Sequence, residues 1–131
     1  MSTESPAPTE RLLFLVDDDE RTARRLASML TEDGFVVEVM LDAQEVIERL
    51  ARAPVPDAII SDVVMPLPGG VAVVVEARRR WPTIPVIFVT GRPDLLAGII
   101  LAPAPVVFTK PVSYAELSAK LREVLAKPAK S

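Results

Sequence analysis

The sequence predicts an α/β fold: a doubly wound, five-stranded parallel sheet covered by helices on both faces. Three observations predict it. Short apolar runs alternate five times with segments whose apolar residues recur every three or four positions. Several of those runs are apolar at every position, which suits strands buried on both faces. Polar residues then recur where the runs stop, as they do at the carboxyl edge of an open parallel sheet, where ligands bind.

The elements follow in order. Leu12–Val16 (LLFLV) is the first strand and breaks into Asp17, Asp18 and Asp19. Ala23, Leu26, Ala27 and Leu30 then mark one helical face, with Asp19 as its N-cap and Gly34 as its end. Phe35–Val39 reads as the second strand. Asp42 opens the next helix, with Glu45 three residues on as in a capping box and Ala43, Val46, Ile47 and Leu50 as the apolar face. Pro54 and Pro56 close it, and Asp57–Ser61 (DAIIS) is a strand running into Asp62, with Asp57 at its surface edge.

The turn MPLPGG at Met65–Gly70 precedes a helix over Val71–Arg80, whose valines are poor helix formers that packing must hold. Trp81 and Pro82 end that helix, and Arg78, Arg79 and Arg80 are expected on a solvated face. Pro85–Val89 delivers Thr90. A short fourth helix is expected over Asp94–Leu101, begun or capped by Asp94. Val106–Thr109 is the last strand and delivers Lys110 and Pro111. Ser113 and Glu116 form a second capping pair, and Leu117, Leu121, Val124 and Leu125 the final helix face.

Composition excludes several functions. The chain has 131 residues, half of them apolar and 25% charged, which is one domain with a sizeable core. It has no cysteine and no histidine, so a disulfide scaffold, a thiol nucleophile and the usual zinc site are absent. A net charge of −3 with a single dense basic run argues against nucleic-acid binding. No signal-peptide pattern or spanning segment is present, and a cytoplasmic location with no membrane partner is expected. The expected layout is a disordered tail over residues 1–10, one domain over 11–127 and a tail over 128–131.

Asp17, Asp18 and Asp62 at one edge would repel one another. A hard divalent cation with oxygen ligands offsets that charge, and Mg²⁺ suits a small site that keeps its waters, with Mn²⁺ as the alternative. Lys110 adds a cation and Thr90 a hydroxyl for incoming phosphoryl oxygens. Without histidine or cysteine, an aspartate is the natural phosphoryl acceptor.

With VDD at Val16–Asp18, SDVVMP at Ser61–Pro66 followed by Gly70, VTG at Val89–Gly91 and TKP at Thr109–Pro111, the chain resembles the receiver domains of bacterial response regulators, a (βα)5, flavodoxin-like fold. The resemblance covers roughly Arg11 to Leu125. It implies that Asp62 is the phosphoacceptor, Asp18 a direct Mg²⁺ ligand, Asp17 its acidic partner and the Val64 carbonyl a third protein ligand. Thr90 would be the switch hydroxyl, Lys110 the phosphoryl contact, and the bond before Pro111 a cis peptide. It implies a stand-alone receiver, monomeric or weakly dimeric, that catalyses its own phosphoryl uptake and loss. Its partners would be a histidine kinase or histidine phosphotransfer protein and a downstream protein.

Two features depart from the family pattern. The switch aromatic is replaced by Val107, while Phe108 beside it faces the opposite way and is expected in the core. The Thr90–Lys110 stretch is short and holds Pro93, Pro103 and Pro105. A muted rearrangement at the last strand is expected, with output through Met65–Gly70 and Gly91–Leu95. One alternative is a non-phosphorylated interaction module on the same fold. Another is a haloacid-dehalogenase-like phosphatase with Asp17 as nucleophile and Asp19 as acid. That reading needs an acidic pair beyond the lysine, finds only Glu116 and Glu123, and leaves Asp62 without a role.

Overall fold

Side chains alternate across a strand, and in the first strand both sets are apolar, so helices must cover both faces. The computed structural model describes residues 11–126. The strands are β1 (Leu12–Val16), β2 (Val36–Met40), β3 (Ala58–Ser61), β4 (Val86–Thr90) and β5 (Val106–Thr109). The helices are α1 (Glu20–Glu32), α2 (Ala43–Arg49), α3 (Gly69–Arg80) and α4 (Tyr114–Ala126). All five strands are parallel, in the order β2-β1-β3-β4-β5. The expected tails over residues 1–10 and 128–131 lie outside the described residues.

Two apolar layers follow from the alternation. Leu13 and Leu15 of β1, Ile60 of β3 and Ile87 and Val89 of β4 face α1 and α4, where they meet Leu30, Leu117 and Leu121. Phe14, Val16, Ile59, Val86 and Phe88 face α2 and α3, against Val46, Leu50, Val73, Val74 and Ala77. The valines of α3 are thus held by burial of one face, as their poor propensity requires. Val106 and Phe108 of β5 pack half-buried on the α1–α4 layer, so Phe108 turns to the core side of the strand as expected.

The predicted caps form. Asp19 accepts from the Thr22 N–H, and hydrogen bonds from Thr22 hold its carboxyl below the ordinary range. Asp42 accepts from the Glu45 N–H at 2.7 Å. Glu45 reaches back past the cap and accepts from the Leu41 N–H, one residue before Asp42. Ser113 accepts from Glu116, and the Trp81 N–H closes α3 onto the Ala77 carbonyl. Lys110–Pro111 is cis.

Two expectations change. The Asp94–Leu101 helix reduces to one 3₁₀ turn, Pro93–Leu96, in which Asp94 pairs with Arg92 instead of capping. Gly98 takes a left-handed φ of +80°, adjacent isoleucines follow it, and Pro103 disfavours helical backbone at Ala102. A helix confined between these breaks is too short to sustain itself. The arginine run is also not uniformly solvated. Arg79 and Arg80 pair with Glu76, but Arg78 is half-buried and donates to the Ile84 and Pro103 carbonyls.

Arg49 is a buried cation that helical periodicity alone did not mark. It donates to both Glu38 oxygens at 3.1 Å and to the Arg52 and Pro54 carbonyls, and its guanidinium lies 4.8 Å from the Phe14 ring centre. It therefore fastens α2 to β2 and to the loop entering β3. Arg49→Ala is expected to lower unfolding stability by about 2–3 kcal/mol through these lost bonds and the exposed face of Phe14. A urea midpoint within error of wild type would contradict the anchoring role.

Candidate functional site

In a parallel sheet, residues that end neighbouring strands lie side by side. β1, β3 and β4 are adjacent, so Asp17, Asp62 and Thr90 emerge in a row. Register sets their heights: Val16 pairs with Ser61, which puts Asp17 beside Asp62, while Ser61 pairs with Phe88, so Thr90 ends one residue further along, level with Thr109. Backbone bonds continue past the strands, from the Asp62 N–H to the Val16 carbonyl at 2.9 Å and from the Lys110 N–H to the Thr90 carbonyl at 2.9 Å. The sheet itself thus places the four polar groups.

Asp17 and Asp62 are 6% and 8% exposed, while Asp18 is exposed. One carboxylate oxygen from each lies within 4.8 Å of the others. Lys110 Nζ donates to Asp17 Oδ2 at 3.0 Å and to Asp62 Oδ2 at 2.9 Å. Partial burial works against the ammonium. Its bonds to Asp62 and Asp17 outweigh that and hold its pKa above the ordinary value. Asp17 Oδ1 accepts from the Asp19 N–H at 2.9 Å, and Asp62 Oδ1 from the Val64 N–H at 3.2 Å.

Thr90 is fully buried, and its Oγ1 accepts from the Arg92 N–H at 3.0 Å. Asp17, Asp18, Asp62 and Lys110 therefore converge, with Thr90 ending the next strand. Val64 enters through its backbone and leaves an exposed side chain. The donor set suits a hard cation, since it offers only carboxylate oxygens. Three negative charges against the single positive charge of Lys110 leave a surplus of two, which a dication matches.

The loop after Asp62 has its own constraint. A Cβ built on Gly70 would sit 2.1 Å from the Asp62 carbonyl oxygen, so the first turn of α3 can approach Asp62 only with glycine there. The Gly70 N–H donates to the Val63 carbonyl at 3.2 Å.

A groove of about 440 Å³ leads to the same edge. Leu15, Ile60 and Val89 floor it, α1 walls it through Leu26 and Met29, and Asp17, Asp62 and Lys110 also line it. Tyr114 forms the far wall. Its hydroxyl lies 2.6 Å from Asp33 Oδ2 and 3.2 Å from the Met29 carbonyl, so its one proton goes to the nearer carboxylate. Burial and then that carboxylate push the phenol up to about 12. Sequence reasoning missed Tyr114 because nothing local ties it to Asp33. It also missed the Arg92 backbone at Thr90.

The family model described as "Response regulator receiver domain" matches residues 13–122. The Transcriptional regulatory protein CreB of Escherichia coli is 34% identical over 116 residues, which is 86% of this chain and 50% of CreB. The chain thus spans about half the length of that relative. A response regulator receiver protein from Sinorhizobium medicae superposes with a TM-score of 0.79 at 26% identity, covering 88% of this chain and 94% of that one. The receiver domain from the hybrid histidine kinase CckA gives 0.71 at 26%, covering 87% and 98%.

Two glycines beside the site should respond oppositely to alanine. Gly70→Ala must displace α3 or the loop after Asp62, costing about 1–3 kcal/mol and shifting the amides of residues 61–65. Gly91→Ala meets nothing within 4 Å and should leave those amides in place. Heteronuclear NMR spectra of the two variants decide this, and unchanged 61–65 amides in Gly70→Ala would refute the close-approach argument.

Proposed function

The chain belongs to the response regulator receiver domain family, and on that premise we propose that it accepts a phosphoryl group on Asp62 in a Mg²⁺-dependent reaction. The observation that carries the reading is the buried Asp62 carboxylate, 2.9 Å from Lys110 and clustered with Asp17 and Asp18. An Asp62 oxygen attacks phosphorus, the bond from phosphorus to the donor's imidazole nitrogen breaks, and its electron pair stays on the imidazole. In this reading Lys110 neutralises the phosphoryl oxygens, and Thr90 donates its hydroxyl to them. Asp17, Asp18 and Asp62 would hold Mg²⁺, or Mn²⁺ in its place, with the Val64 carbonyl as a further ligand, and the bound ion supplies charge that shields the carboxylates from the incoming group.

The phosphodonor is proposed to be a histidine kinase or histidine phosphotransfer protein, entering along the groove beside α1. Its apolar floor and the charged end at Lys110 support that reading. The proposal includes a domain over residues 11–127, a cytoplasmic location and a downstream protein as the reader of its state. Among the described residues no helix is long and apolar enough to cross a membrane.

Acetyl phosphate with Mg²⁺ should add one phosphoryl mass to the wild-type chain and none to Asp62→Asn, read by intact-mass spectrometry. Equal labelling of Asp62→Asn would move the acceptor elsewhere. No uptake by wild type would favour an interaction module that works without phosphorylation.

A further inference from the structure

A second cavity, of about 540 Å³, lies at the amino edge of the sheet, away from Asp62. Its volume falls within the roughly 300–1,000 Å³ of clefts that hold a ligand. Val86 and Val106 line it from β4 and β5, and Val124 and Leu125 from the last turn of α4. Trp81 lines it from the end of α3 and is half-buried there. Two cations face it, Arg11 and Arg78, against one acid, Asp57, which already accepts from the Leu12 N–H at 2.7 Å. Among the described residues, Arg11 donates to the Leu125 carbonyl, and Arg78 to those of Ile84 and Pro103. A guanidinium has five N–H donors, so both retain capacity for a carboxylate.

We propose that this cavity is the docking site of the chain's own amino-terminal segment, residues 2–10, with its prolines against Trp81 and its glutamates toward Arg11 and Arg78. Three observations select that occupant. The first is where the segment joins the described chain. Residue 10 attaches to Arg11, itself a lining residue, so the segment starts at the mouth of the cavity. The six residues Ser5 to Glu10 can span up to about 20 Å, enough to cross a cavity of this volume. The second is charge. Residues 1–10 carry Glu4 and Glu10 and no lysine or arginine. Residues 127–131 follow α4 beside Val124 and Leu125, but they carry Lys127 and Lys130 and no acid, so Arg11 and Arg78 repel them.

The third is the pairing of proline with an aromatic wall. Pro6 and Pro8 stand in the middle of the segment, and Trp81 is the only tryptophan of the chain. Proline fixes its own φ, so a segment that contains two of them loses less freedom on docking. Aromatic-lined grooves take proline-containing chains for that reason. Docked there, residues 2–10 cover the apolar lining and tie the start of β1 to the chain entering β4 and to the end of α4. The inference goes beyond the phosphoacceptor reading and does not rest on it. Asp17, Asp62 and Lys110 follow the carboxyl ends of their strands, at the opposite edge of the sheet.

The chain has no cysteine, so one introduced thiol takes the only label. The experiment places a nitroxide on Ser5→Cys in the full chain and reads the broadening of backbone amides by NMR. The amides of Thr83, Ile84, Ala104 and Val106 should broaden, and those of Val63, Val64 and Gly91 at the opposite edge should not. A tether alone brings the label near the cavity. The same label is therefore read in a second chain that also carries Glu4→Lys, Pro6→Gly, Pro8→Gly and Glu10→Lys. These substitutions precede β1 and leave every core residue in place. Broadening at the four amides should fall severalfold in that chain, and acrylamide should quench Trp81 severalfold faster. Equal broadening and equal quenching in the two chains would overturn the proposal. Stronger broadening of the four amides from Ser131→Cys than from Ser5→Cys would give the cavity to residues 127–131 and overturn it too. So would broadening of isotope-labelled chains by spin-labelled chains mixed with them, at the strength seen within one chain, which would make the occupant the segment of a second copy.

Discussion

The ammonium of Lys110 stands between two buried carboxylates, 3.0 Å from Asp17 and 2.9 Å from Asp62. Two like charges at about 4 Å repel by about 4 kcal/mol in a partly buried setting. A third carboxylate, Asp18, adds to that at the same edge. One lysine cannot balance three aspartates. What the fold holds together is therefore an incomplete charge set, and its chemistry follows from what completes it. A dication answers the surplus directly. In the proposed reaction the buried Asp62 oxygen can then meet an anionic phosphoryl group that bare carboxylates would turn away.

The sheet bears the cost of this arrangement. Asp17, Asp62 and Thr90 stay at one edge because β1, β3 and β4 are paired neighbours whose cores are apolar on both faces. Shifting any one strand would move its end group and expose its core residues together. Lys110 joins from β5, the edge strand, through the backbone bond to the Thr90 carbonyl. Gly70 sets how close α3 may come to Asp62. Site and core thus share the same constraints.

Much of this was legible in sequence because it depends on local pattern. The five strands lie within a residue or so of their expected places, since an apolar run ended by a polar residue is a local signal. Asp19, Asp42 and Ser113 cap their helices as their residue types require. The convergence of Asp17, Asp18, Asp62 and Lys110 followed from the parallel topology, which puts strand ends together whatever their sequence separation. The failures are equally physical. The apolar content of Asp94–Leu101 suggested a helix, but a left-handed Gly98 and the proline at 103 outweigh it. Arg78 was expected on a solvated face because its partners are backbone carbonyls, which no sequence pattern displays, and Arg49 went unmarked because its Glu38 and carbonyl partners lie on other elements. Tyr114 and Asp33 are 81 residues apart, and only folding brings them together.

The claim on which the rest stands is that three aspartates and one lysine are built around a divalent cation. Calorimetric titration of Mg²⁺ into the unphosphorylated chain tests it without any partner. Wild type should bind one ion per chain, and Asp18→Ala, which keeps Lys110 with Asp17 and Asp62, should bind at least about tenfold more weakly, a difference of about 1.4 kcal/mol. Equal affinity in the two proteins, or no binding by wild type at millimolar Mg²⁺, would contradict it.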